Sequence, residues 1–151
     1  MREAINSALK AATKAQEKRR MSTLRLINAA IKDREIAVRG QGKDGIGDDE
    51  ILQILAKMVK QRDESAATYE EAGRLELAEG EREEIAIIQE FLPKQLDDEA
   101  VKVACAEVVA EIGAQGLRDM GRTMAVLKER YPGQMDFGRA SGFVKELLQS
   151  A

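Results

Sequence analysis

The sequence predicts an all-α fold, a four-helix bundle-like N-terminal domain followed by a small three-helix tail domain. Three observations predict it. Apolar residues recur three and four positions apart along most of the chain, and no stretch reads as a credible strand. Glycine and proline cluster at a few places and cut the chain into helix-length pieces. The composition is 44% apolar but holds only three Phe and two Tyr, so 151 residues can bury a real core and that core is aliphatic.

The first helix is expected from about Glu3 to Gln16, because Ile5, Ala8, Leu9 and Ala12 fall on one face. The charged cluster from Glu17 to Arg20 reads as a bend. A second helix then opens at Ser22 or just before it, with a stripe of Leu24, Ile27, Ile31 and Val38, and stops at Gly40. Four glycines between Gly40 and Gly47 mark a loop. Asp48 or Asp49 should cap the third helix, which runs to about Ala72. The fourth follows Gly73 and should stop at Leu92, because Pro93 disfavours helix in the residue before it.

The segment 93–96 is expected to be the linker between an N-terminal domain, 1–92, and a tail domain, 97–151. Asp97, Asp98 and Glu99 put negative charge at the start of a fifth helix, where the helix dipole favours it. Its stripe is Val101, Ala104, Cys105, Val108 and Ile112, with Gly113 and Gly116 ending it. A sixth helix from about Arg118 to Arg130 packs through Met120, Met124 and Leu127. After Pro132 and Gly133 a seventh begins near Asp136 and packs through Ala140, Phe143 or Val144, and Leu147. Helices of similar length and aliphatic content can pair in more than one order, so the stripes leave the packing order open.

One residue breaks the stripe of the third helix. Ile51, Leu55, Met58, Ala66 and Tyr69 share a face, and Arg62 stands among them where a hydrophobe is expected. A buried guanidinium needs a carboxylate, and the fourth helix offers Glu81, Glu83 and Glu84 beyond the break at Ala72, Gly73 and Arg74. The alternative is an Arg that snorkels out of a shallow groove. By the same reasoning Arg74 is expected to cap or brace the turn after Gly73, and Gln95 to tie the linker to the bundle.

The chemistry-bearing residues are sparse. The chain has no histidine, and so lacks the commonest general base and metal ligand. The single Cys105 shares a stripe with Val101 and Val108 and reads as packing; it also rules out an internal disulfide. No strand leads into the glycines at 40–47 and no Lys-Ser or Lys-Thr follows them, so they are not a phosphate loop. No catalytic residue, metal site or cofactor is expected. No stretch approaches the roughly 18 apolar residues of a membrane span, and a cytoplasmic protein that does not enter membranes is expected.

Net charge is −3, unevenly spread: residues 1–40 carry +6, residues 41–100 carry −10 and residues 101–151 carry +1. A basic first third can attract phosphates, although it reads equally as a solvated face. In the tail, Arg118, Arg122, Lys128, Arg130, Arg139 and Lys145 surround two glycine turns and a helix start at Asp136 expected to be free. Such a set can meet a nucleic-acid backbone through charge and through main-chain donors, or can be ordinary surface interleaved with Asp119, Glu129, Asp136 and Glu146. On the third helix Lys57, Lys60 and Gln61 are candidates for contact with a protein partner.

The run from Lys57 to Leu96, with RLINAAIKDRE at Arg25 to Glu35 and DMGRTMAVLKERYPGQMDF at Asp119 to Phe137, closely resembles the YqeY family over nearly the whole chain. That resemblance implies a tail similar to the tail domain of the B subunit of the glutamine-dependent tRNA amidotransferase, the part that meets tRNA. Met120, Gly121, Met124, Leu127, Gly133 and Asp136 carry the shared tail pattern. It implies tRNA as a partner and, by family membership alone, carbon–nitrogen ligase activity with glutamine as amido-N-donor. The kinase cradle of that subunit and the glutaminase of its A partner have no counterpart in this chain.

Overall fold

A computed structural model describes residues 1–150, and within them every regular element is helical. The helices are α1 (Arg2–Lys14), α2 (Lys18–Gly40), α3 (Asp48–Glu71), α4 (Leu75–Gln89), α5 (Asp98–Ile112), α6 (Met120–Arg130) and α7 (Phe137–Gln149), with one 3-10 turn at Leu117–Asp119. They divide into two compact units, Met1–Leu92 and a second that begins at Pro93.

In the first unit α1 lies along α2, α3 along α4, and α2 joins the two pairs by packing on α4 and α3. The shared core is aliphatic: Ile5, Leu24, Ile27, Val38, Ile51, Leu55 and Ile88 are buried at its centre. Ala66, Ala78 and Ile85 are buried outside that cluster, along the seam between α3 and α4. In the second unit α5, α6 and α7 each pack on the other two around Val101, Cys105, Val108, Leu127, Ala140, Val144 and Leu148.

Several boundaries differ from those expected. The chain bends at Ala15 and Gln16, and Lys18, Arg19 and Arg20 form the first turn of α2. Gln16 takes the left-handed conformation, φ 57°, and the amide of Glu17 reaches back to Ala12 O at 3.0 Å to close α1. Three cations at a helix start oppose the dipole. Arg19 and Arg20 are held there by α4: Arg19 donates to Gly80 O at 3.2 Å and pairs with Glu83 at 2.8 Å, and Arg20 pairs with Glu90. Gly80 makes room, since a Cβ at that position would meet Arg19 Nη1 at 3.1 Å.

Neither Asp48 nor Asp49 caps α3. Gly47 is the N-cap, and the two aspartates occupy the first turn with Glu50, where they still face the positive end of the dipole. α4 stops at Gln89, three residues early, and the amides of Glu90, Phe91 and Leu92 close a tight turn onto Ile87, Ile88 and Gln89 before Pro93. Asp97 and Asp136 do cap α5 and α7, accepting from Ala100 N at 2.8 Å and Gly138 N at 2.9 Å. The helix start at Asp136 is therefore not free.

Candidate functional site

The tail's six candidate cations occupy three situations. Arg122, Arg130 and Arg139 are committed inside the unit. Arg122 donates to Ile112 O at 3.1 Å, one of the open carbonyls at the end of α5, and lies 3.4 Å from Asp119 Oδ1. Arg130 at the end of α6 pairs with Glu111 of α5, and Arg139 at the start of α7 pairs with Asp98 at 2.8 Å. Arg118 is exposed on the 3-10 turn, and its charge is among those that lower the Asp119 carboxyl. Lys128 on α6 and Lys145 on α7 are exposed, with no ion-pair partner among the described residues.

Asp119 organises the turn between α5 and α6. Its carboxylate accepts from Gln115 N at 2.9 Å, and its main-chain oxygen accepts from the Thr123 hydroxyl at 2.9 Å. The hydrogen bond from Gln115, followed by the charge of Arg122, holds the carboxyl below its ordinary range. Glu111 is likewise lowered, first by its hydrogen bond from Arg130. The six cations are spread over the 3-10 turn, α6 and α7. On α6, Lys128 lies about 120° round the helix from Arg122.

In the first unit, Arg62 meets a carboxylate of α4. Its Nε donates to Glu84 Oε2 at 3.0 Å and its Nη1 to Met58 O at 3.2 Å, with the two side chains only 14% and 20% exposed. Arg74 is exposed, and its side chain caps nothing. The bracing of that turn comes from its backbone, whose amide donates to Tyr69 O at 2.8 Å behind Gly73 at φ 74°. Gln95 ties the linker segment to the tail unit. Its amide donates to Gly133 O at 2.6 Å and Pro93 O at 3.0 Å, and Leu96 N adds a bond to Gln134 O, all within the tail unit. Lys57, Lys60 and Gln61 are exposed on α3, and Gln61 lines a shallow groove with Glu64, Ser65, Thr68 and Tyr69.

Cys105 is fully buried; its thiol points at Ala140 O, 3.8 Å away, and burial pushes its pKa up, the reverse of what a nucleophile needs. No group of three or more Cys, Asp or Glu residues among the described residues is placed to hold a metal ion. Among the described residues no helix is long and apolar enough to cross a membrane. The role of Asp119 as organiser of its turn is not legible in the sequence, because the pairing depends on a 3-10 geometry that no cap pattern announces. A seven-residue spacing in the sequence does reveal a line of cations on α2, Lys18, Arg25, Lys32 and Arg39.

An all-helical chain of two such units matches the YqeY family, described as Yqey-like protein, over residues 2–148. The chain belongs to that family. Comparison with curated proteins finds no match.

Proposed function

We propose that this YqeY-family protein is a non-catalytic, tRNA-associated module whose tail domain touches structured RNA and whose first unit serves as spacer or docking platform. The observation that carries this reading is the state of the tail's cations. Arg118, Lys128 and Lys145 are exposed and have no ion-pair partner among the described residues, so phosphates can take them without breaking the fold. Arg122, Arg130 and Arg139 hold the unit together and make weaker candidates for binding. The resemblance of the tail to the tRNA-meeting tail of the amidotransferase B subunit supplies the ligand class.

Binding of the purified protein to total tRNA across a salt series tests it. With about three phosphate contacts, affinity should fall roughly 20- to 40-fold between 50 and 200 mM salt. Arg118→Glu with Lys128→Glu should abolish binding while the thermal unfolding profile stays unchanged. Binding that ignores both substitutions would refute the tail as the RNA-contacting surface. Incubation with glutamine, ATP and tRNA should yield no amide product from the chain alone. A second reading, a protein adaptor working through Lys57, Lys60 and Gln61, draws on the groove along α3. A partner that survives nuclease treatment in a pull-down through those residues would favour it.

A further inference from the structure

We propose that the outward face of α2 is a docking surface for an acidic amphipathic helix of a protein partner. The face opposite the buried stripe is not simply polar. Leu26 and Ile36 are 45% and 58% exposed, and Ala29 between them is exposed as well. Residues 22, 26, 29, 33, 36 and 40 alternate steps of four and three, the spacing that keeps one seam facing a second helix. Beside that seam run Lys18, Arg25, Lys32 and Arg39, each seven residues from the last and all exposed. They fall at the flanking position of the heptad, where interhelical ion pairs select the partner.

These cations are available. Lys18, Arg25 and Lys32 have no ion-pair partner among the described residues, and Arg39 has only a 3.9 Å contact with Glu35 of its own helix. By contrast Arg19, Arg20 and Arg34, on other faces of α2, pair with Glu83, Glu90 and Glu50 and serve the fold. An exposed apolar seam with an unneutralised basic rail is complementary to a helix that carries apolar seam residues and a glutamate flank. Asp33, exposed within the seam and without an ion-pair partner among the described residues, separates this occupant from an anionic one. Lipid headgroups and RNA phosphates would be repelled there, whereas a partner helix can set a Lys or Arg against it.

The test uses the full chain and a designed, labelled heptad peptide. The peptide has Leu at its seam positions, one Lys set against Asp33, and Glu on both flanks. It should bind, and binding should weaken with salt. Arg25→Glu with Lys32→Glu should abolish binding and transfer affinity to a peptide flanked by Lys. Leu26→Gln with Ile36→Gln should weaken binding roughly tenfold or more. All four positions are exposed, so far-UV circular dichroism should be unchanged, and Arg118→Glu with Lys128→Glu should leave peptide binding intact. The proposal is overturned if a scrambled peptide of the same composition binds equally, or if anionic phospholipid vesicles or tRNA displace the peptide through the same side chains. It is overturned equally if the protein alone forms a dimer that the Leu26 and Ile36 substitutions dissolve, since the occupant would then be a second copy.

Discussion

Arg62 shows what one misplaced charge can tell. Its position in an apolar stripe was legible from spacing alone, because a helix admits one face to its neighbour and position 62 lies on it. Which carboxylate answers it was not legible, since Glu81, Glu83 and Glu84 are separated only by the rotation of α4, and packing selects Glu84. Arg62→Ala should leave that carboxylate half-buried beside an unfilled space and destabilise the first unit by about 2 kcal/mol, below the range for a fully buried pair. In a unit of this size the midpoint should drop by roughly 10 °C. Arg62→Leu with Glu84→Leu should recover most of that loss, because two apolar side chains remove the charges together. Thermal unfolding followed by circular dichroism decides it; a single variant as stable as the parent would mean that Arg62 is solvated and the snorkelling alternative is correct. The tail's cations were legible as a set but not as individuals. Arg130 and Arg139 find Glu111 and Asp98 only through the packing of α6 and α7 on α5.

Among the elements, the interiors were legible and the ends were not. Apolar periodicity located all seven helices, but caps and bends rest on single residues with weak signals. Nothing in Gln16 announces a left-handed residue, while Gly113, at φ 65°, was an evident stop. The two sites have similar backbone geometry and opposite side chains, and so invite a matched comparison. Gln16→Gly should stabilise the protein by about 0.5 kcal/mol by relieving the left-handed conformation. Gly113→Ala should destabilise it by about 1 kcal/mol. A Cβ at Gly113 would meet nothing within 4 Å, so the whole of that loss is conformational and no clash contributes. Urea unfolding of both variants tests the pair, and equal signs would show that the backbone relaxes at one of them. The seam on α2 was hidden for a different reason, since the inner stripe of Leu24, Ile27, Ile31 and Val38 accounts for the helix without drawing attention to its other face.

For the molecule as a whole, each unit has its own core, and the tail contains a built-in reporter. Cys105 is the only thiol and is fully buried among Val101, Val108 and Ala140, so its reactivity toward a pyridyl disulfide, which works at acid pH, reads the opening of the tail alone. The tail also holds two carboxyls whose folded pKa values are lowered, Asp119 by Gln115 N and Arg122, and Glu111 by Arg130. A group depressed in the folded state contributes stability above its unfolded pKa, about 4 here, and loses that contribution as pH falls through the lower folded value. Thiol exposure in urea should therefore come at lower denaturant as pH falls below about 4. Asp119→Asn should move the thiol-reported midpoint downward at neutral pH and leave it nearly unmoved in strong acid, where the parent's carboxyl is itself protonated. The signal from the first unit, followed by the Arg62→Ala shift, should not respond to Asp119→Asn. A midpoint displaced equally at all pH values would mean that the substitution acts through the shape of the turn, and that the charge on Asp119 contributes nothing to holding α5 against α6.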